Sequence, residues 1–216
     1  MSPSTPPFHD LEFPNDVPLW PSNDTATRRV FLMPAPDPSL FVAFGVLGAS
    51  AEVSFVARGS LLENLGFFIE RMLRESARVG LYALPPVPRE LIEKYGAPPP
   101  FEGHEFEAPP KPPVAGLASD RVQAYPARGS APLWAQGGSA ARRAILVPVR
   151  DPSGFLVLGL HGSPPTVLFA LKGSVTEDLP RLLARLRRED CHVELFAVPP
   201  LPESVVGEYL FLPPAP

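Results

Sequence analysis

Arginine and acidic residues recur in this chain at a constant spacing, and they are the first residues to test for chemistry. Arg28, Arg29, Arg71 and Arg74 return as Arg142, Arg143, Arg185 and Arg188. Glu63, Glu75 and Asp37 return as Glu177, Glu189 and Asp151, Ser60 as Ser174, and Tyr95 as Tyr209. Guanidinium groups suit anions, and a hydroxyl beside a carboxylate suits nucleophilic catalysis when a base completes the set. No base recurs: His9, His104, His161 and His192 have no histidine at the matching position. Ser60 with Glu63, and Ser174 with Glu177, instead fit the capping box, in which the serine oxygen takes the N3 amide and the glutamate returns to the serine amide. Asp37 and Asp151 each precede Pro-Ser, which is turn chemistry.

The remaining chemical candidates are thin. Cys191 and His192 are neighbours in a strand-like stretch, so their side chains are expected on opposite faces, a buried thiol beside an exposed imidazole. No His, Cys or Asp cluster has metal-ligand spacing, and the glycines form neither a phosphate loop nor a dinucleotide fingerprint. No catalytic residue, metal or cofactor is therefore expected, and the chain reads as a protein other than an enzyme. Two constellations remain. Arg28 and Arg142 follow Trp20 and Trp134 at equal spacing, and a guanidinium over an indole is a favoured contact. Trp20, Arg28, Trp134 and Arg142 are the candidates for a small-ligand site between two domains. The second constellation is a difference between the copies. Phe67 lies about 200° around its helix from Leu65, opposite the apolar stripe, and its counterpart is Arg181. Leu73, at the stripe's edge, is matched by Arg187. A large apolar residue aimed away from its own core marks a contact surface, so Phe67 and Leu73 are the candidate protein-binding residues.

These pairings all follow one ungapped shift of about 114 positions, which lays Pro18-Leu19-Trp20 on Pro132-Leu133-Trp134. About 30 of the roughly 78 positions from Pro18 to Tyr95 are identical in the second copy. A repeat of this kind decides the architecture. Within each copy, 29–34, 40–47 and 52–57 (143–148, 155–160 and 166–171) read as a β-meander. The middle run is apolar throughout, as a strand covered on both faces requires. Leu61, Leu65, Phe68, Ile69 and Met72, and then Val175, Leu179, Leu182, Leu183 and Leu186, recur at helical spacing. Pro180 either delays the start of the second helix to near Asp178 or kinks it. Residues 79–84 and 193–198 form a fourth strand, stopped by Pro-Pro-x-Pro. A short helix follows, carrying Leu91, Ile92 and Tyr95 or Val205, Val206 and Tyr209.

The expected fold class is thus α+β, a tandem duplication of a β-β-β-α-β-α unit. Each unit is an antiparallel sheet covered by one long helix, and the two form a pseudo-two-fold pair. The expected segments are a flexible Pro-rich arm at 1–17, repeat domains at 18–96 and 132–212, a Pro-rich linker at 97–131 and a tail at 213–216. Leu11, Phe13 and Val17 would tack the arm to the first domain, and Phe101 and Phe106 would anchor the linker.

Bulk properties narrow the partners. With 216 residues, 45% of them hydrophobic and 19% charged, the chain can bury a substantial core. Its net charge of −4 argues against nucleic acid, and no apolar run approaches a membrane span. Four arginines, Arg181, Arg185, Arg187 and Arg188, are flanked by as many acids and read as a solvated helix face. The N-terminus lacks a secretory pattern and one cysteine suits a reducing compartment, so the expected location is the cytoplasm. Abundant Ala, Gly, Pro and Arg fit a bacterial source. The expected function is a protein-binding or adaptor module, a cognate inhibitor or chaperone of another protein being one form of it. The partner is another protein, and the chain itself is a monomer or homodimer. The alternative is a small-ligand sensor or small enzyme with its site between the two domains.

Overall fold

The structure is a computed structural model and describes residues 6–11, 18–21, 26–49, 52–97, 122–125, 133–134, 142–161 and 166–198. Unit 1 holds β1 (Phe8–Asp10), β2 (Arg28–Pro34), β3 (Leu40–Leu47), β4 (Val53–Ser60), α1 (Gly66–Arg74), β5 (Arg78–Leu81) and α2 (Arg89–Tyr95). Unit 2 holds β6 (Val122–Ala124), β7 (Arg142–Pro148), β8 (Gly154–His161), β9 (Thr166–Ser174), α3 (Leu179–Arg188) and β10 (Cys191–Leu195). Each unit carries one five-stranded mixed sheet, in the order β1-β4-β3-β2-β5 or β6-β9-β8-β7-β10.

The meander is present in both units, with β2, β3 and β4 antiparallel in sequence, as are β7, β8 and β9. The sheets are nevertheless not antiparallel throughout, which corrects the sequence expectation. After β4 the chain crosses over through α1 and returns as β5 parallel to β2, and β10 is parallel to β7 in the same way. A helix crossover is what a parallel pair requires, because a tight turn reverses direction and a helix need not. The outer strands β1 and β6 also run parallel to their neighbours β4 and β9. They lie in stretches read as arm and linker. There Phe8–Asp10 pairs with Val56–Arg58, and Leu11 packs against the core. Most of the linker, including Phe101, Phe106 and His104, lies outside the described residues, as do Val205, Val206 and Tyr209.

The apolar middle strand has the physical explanation its sequence suggested. Phe41 and Ala43 of β3 face α1, joining Val30, Leu32, Phe55, Ala57 and the helix residues Leu65, Phe68, Ile69 and Met72. The alternate residues Val42, Phe44 and Val46 face the other way, onto Phe31, Met33, Val56 and Ile92 of α2. Each fully buried side chain of this size contributes about 1.5–3 kcal/mol of hydrophobic stabilisation. In unit 2, Phe155 and Val157 meet Leu179, Leu182, Leu183 and Leu186 of α3. The helix-facing side chains of both units belong to one continuous core.

Local irregularities recur as well. The β3–β4 register shifts at Gly45/Val46, and the β8–β9 register at Gly159/Leu160. Ser76 and Asp190, just past the helix ends, both take a left-handed backbone, φ 58° and 52°. Polar residues in this conformation commonly terminate helices. Between β2 and β3 the Asp37 carboxylate accepts the Ser39 amide and hydroxyl at 2.9 and 2.7 Å, and Asp151 accepts from Ser153 at 3.0 and 2.8 Å. These bonds hold both carboxyls below their ordinary range.

Candidate functional site

Three of the repeated pairs, Arg28/Arg142, Arg71/Arg185 and Glu75/Glu189, assemble at the C-terminal end of each covering helix. Arg28 donates to the Glu75 carbonyl at 3.0 Å, and Arg142 donates to the Glu189 carbonyl. These are last-turn carbonyls that the helix leaves unpaired and partly negative, so a cation there is favoured by about 0.3–1 kcal/mol. Arg71 and Arg185 hold the same two glutamates by their carboxylates, one turn apart, both at 2.9 Å. In unit 2 the Glu189 carboxylate also accepts the Leu133 amide at 3.2 Å, which ties the Leu133-Trp134 segment to the helix end. In unit 1 Glu75 Oε2 is buried with no hydrogen-bond partner among the described residues. The recurrence of these residues thus has a structural cause.

Trp20 and Trp134 sit beside these clusters, 8% and 4% exposed. Trp20 meets Phe55 edge-on at 4.8 Å, and Trp134 meets Phe169 at 4.9 Å. The Arg28 guanidinium lies over Trp20 at 5.5 Å. Trp20 and Arg28 therefore meet within unit 1. Each indole Nε1 is buried without a hydrogen-bond partner among the described residues.

The capping boxes are built differently from the sequence expectation. The Glu63 amide does donate to Ser60 Oγ, and the Glu177 amide to Ser174 Oγ, at 3.4 and 3.3 Å. The return bond comes one residue later. The Ser60 amide donates to Asn64 Oδ1 at 2.8 Å and the Ser174 amide to Asp178 Oδ2 at 2.9 Å. In unit 1 the π-helical turn Leu61–Leu65 carries the chain into α1, and in unit 2 α3 begins after Asp178, with Pro180 in its first turn. Glu63 is thereby released, and it pairs with Arg187 of α3 at 2.7 Å, across the two units.

Phe67 and Leu73 are 49% and 42% exposed on α1. Their counterparts Arg181 and Arg187 are exposed on α3. The other surface clusters are structural pairs. Arg143 donates to Glu194, a buried carboxylate that also has His192 Nε2 at 3.7 Å. Arg29 lies over Phe31 at 5.6 Å, and Tyr95 stacks on Phe8 at 5.0 Å. Cys191 is buried, and burial pushes its thiol up to about 12, so the thiolate is suppressed. Among the described residues no group of three or more His, Cys, Asp or Glu is placed to hold a metal ion. Nor is any helix among them long and apolar enough to cross a membrane.

Two of these features were hidden from sequence reasoning. Asn64 and Asp178 occupy matching positions but differ in type, so a search for identical polar residues passes over them. Glu194 has Gly80 as its counterpart, so its pairing with Arg143 leaves no trace in the repeat. Compared with known proteins, the chain matches no family model, no curated protein and no solved structure.

Proposed function

We propose that the chain is a non-catalytic protein-binding or adaptor module, built from two diverged copies of a β-β-β-α-β-α domain related by a pseudo-two-fold axis. A cognate inhibitor or chaperone of another protein is the narrower form of this reading. The axis is supported by Gly66 and Pro180, which occupy matching positions and face each other. A Cβ built on Gly66 would lie 3.7 Å from Pro180 Cα. Only residues on an axis meet their own counterparts. Two further hydrogen bonds exchange roles in the same way. The Leu81 amide donates to the Pro152 carbonyl at 2.8 Å, and the Leu195 amide to the Pro38 carbonyl at 2.7 Å.

The observation that carries the binding reading is the asymmetry of the paired helices. At matching positions α3 presents Arg181 and Arg187, while α1 presents Phe67 and Leu73, both about half exposed. Arg181 shows what its position accepts on a solvated helix, while Arg187 bridges to Glu63, and the apolar pair in α1 suits a protein partner. Most of the recurrent polar residues add indirect support, since the bonds of the helix ends, caps and turns already account for them.

The test is a pull-down with the tagged chain from its native lysate, beside a Phe67→Arg, Leu73→Arg variant. The variant writes unit 2 residues into unit 1, so its thermal midpoint is expected to stay close to wild type. One stoichiometric partner that the variant loses is the expected result. Equal recovery by both forms would sink the assignment to this surface. A second reading, a ligand site at Trp20, Arg28, Trp134 and Arg142, draws on the two indole N–H groups without acceptors. It predicts a metabolite that raises the thermal midpoint of wild type and loses that effect in Trp20→Phe or Trp134→Phe.

A further inference from the structure

The units meet along α1 and α3, and the residues at that junction differ between the copies in a way that bears on pairing. Three observations matter. Gly66 faces the backbone and ring of Pro180, leaving room for about one carbon at ordinary van der Waals distance. Glu63 reaches Arg187 at 2.7 Å. Leu73 and Glu177, the counterparts of Arg187 and Glu63, make no such bridge, because leucine carries no charge.

We propose that this surface is selective as well as adhesive: unit 1 recognises unit 2, and each rejects a second copy of itself. The proposal rests on the pseudo-two-fold relation inferred above. Under that relation a pair of unit 1 copies would set Gly66 against Gly66, leaving a gap on the axis. Glu63 would then face Leu73 on both sides, with no ion pair. A pair of unit 2 copies would gain two Glu177–Arg187 bridges. It would also drive Pro180 against Pro180, adding a pyrrolidine ring where the present contact admits one carbon. The unit 1 pair is thus disfavoured by a gap and a lost ion pair, and steric overlap excludes the unit 2 pair. Discrimination of this kind needs an unfavourable element against the wrong partner as well as a favourable one for the right partner. The two carbonyl bonds from Leu81 and Leu195 join backbone groups that both units possess, so they hold the pair without choosing it.

The partner this surface fits is therefore the other unit, from the same chain or from another copy. The full chain, with a protease site inserted between residues 98 and 121, would be cut after folding. A light and an isotopically heavy batch would then be mixed, unfolded, refolded together and weighed by native mass spectrometry. Particles of one unit 1 with one unit 2 are expected, in light, heavy and mixed combinations. Like pairs should fall at least about tenfold below their statistical share. Like pairs near that share would overturn the proposal, and so would halves that separate or aggregate where the uncut chain refolds. The same experiment on Pro180→Gly removes the steric block while keeping both potential bridges. Paired unit 2 copies should then rise several-fold, and their continued absence would overturn the steric argument. Phe67 plays no part in this readout, so a Phe67→Arg variant alone tests binding of another protein separately from selective pairing.

Discussion

In unit 1 the Arg28 guanidinium closes the end of α1, and in unit 2 Arg142 closes α3 in the same way. Within eight residues of those bonds, Leu73 stands where unit 2 has Arg187, and Phe67 where it has Arg181. The contrast separates two kinds of position. Helix ends, the Asp-Pro-Ser turns and the left-handed residues past each helix answer to backbone groups that must be satisfied in both units, so their chemistry stays fixed. Exposed helix positions carry no such backbone demand and there the units part, although Arg187 also bridges to Glu63 of unit 1. Where two similar units disagree, a role outside their shared fold is best sought.

The largest effects should fall on positions where the units agree. A Cβ at Gly45 would lie 2.0 Å from the Phe55 ring, and one at Gly159 would lie 2.1 Å from the Phe169 ring. Those rings support Trp20 and Trp134, so neither can swing away cheaply. Gly45→Ala and Gly159→Ala should each cost about 1–3 kcal/mol by overpacking, read from urea unfolding midpoints. The comparison is broken if one unit tolerates the methyl and the other does not.

A smaller effect is expected where unit 2 has a feature of its own. Arg143→Met would leave the Glu194 carboxylate, 12% exposed at its side chain, without its guanidinium. The arginine is 40% exposed, so water screens part of the loss and about 1–2 kcal/mol is expected. Arg143→Lys should recover part of it. Equal stability of all three forms would mean that the buried carboxylate does not need the pair.

Cys191 offers a pH test of the same kind, its counterpart being Ala77. Burial raises its thiol from an ordinary 9.0 to about 12. The unfolded chain therefore loses this proton first, and the contribution, complete below pH 9, is lost as pH rises toward 12. Wild type should lose stability relative to Cys191→Ala between pH 8 and pH 10. An unchanged difference would show the thiol to be accessible, as would rapid alkylation of the native protein at pH 8.

Much of the fold could be read from the chain, for physical reasons that also explain the gaps. The meander and covering helices show strong periodicity over many residues, and Pro180 marks the later start of α3. The strands β1 and β6 have three residues each, too few for a period. Phe8-His9-Asp10 and Val122-Gln123-Ala124 share no residue, so the repeat does not extend visibly to them. Their parallel pairing comes from where the chain enters the sheet, which no local pattern encodes. Type and spacing placed Phe67 opposite the apolar stripe of α1 and Leu73 at its edge, and both are about half exposed. The bridge between Glu63 and Arg187 was not legible, because it joins two elements that only the folded pairing brings together.

That bridge supports the smallest prediction and sharpens the comparison most. Glu63 and Arg187 are each about half exposed, so their pair should be worth about 0.2–1 kcal/mol, and less in high salt. Arg187→Leu copies unit 1 into unit 2 and should lose that amount. Leu73→Arg copies unit 2 into unit 1 and offers Glu177 a partner, so it should gain a similar amount. Both changes should fade between low salt and about 1 M salt, where the screening length falls to about 3 Å. If Leu73→Arg stabilises the chain while weakening capture of its partner, the leucine is kept at the expense of folding. That combination is what a binding residue predicts. If the substitution destabilises the chain and the loss persists in high salt, Leu73 is contributing by packing within its own fold. The asymmetry between the helices would then have a structural cause after all.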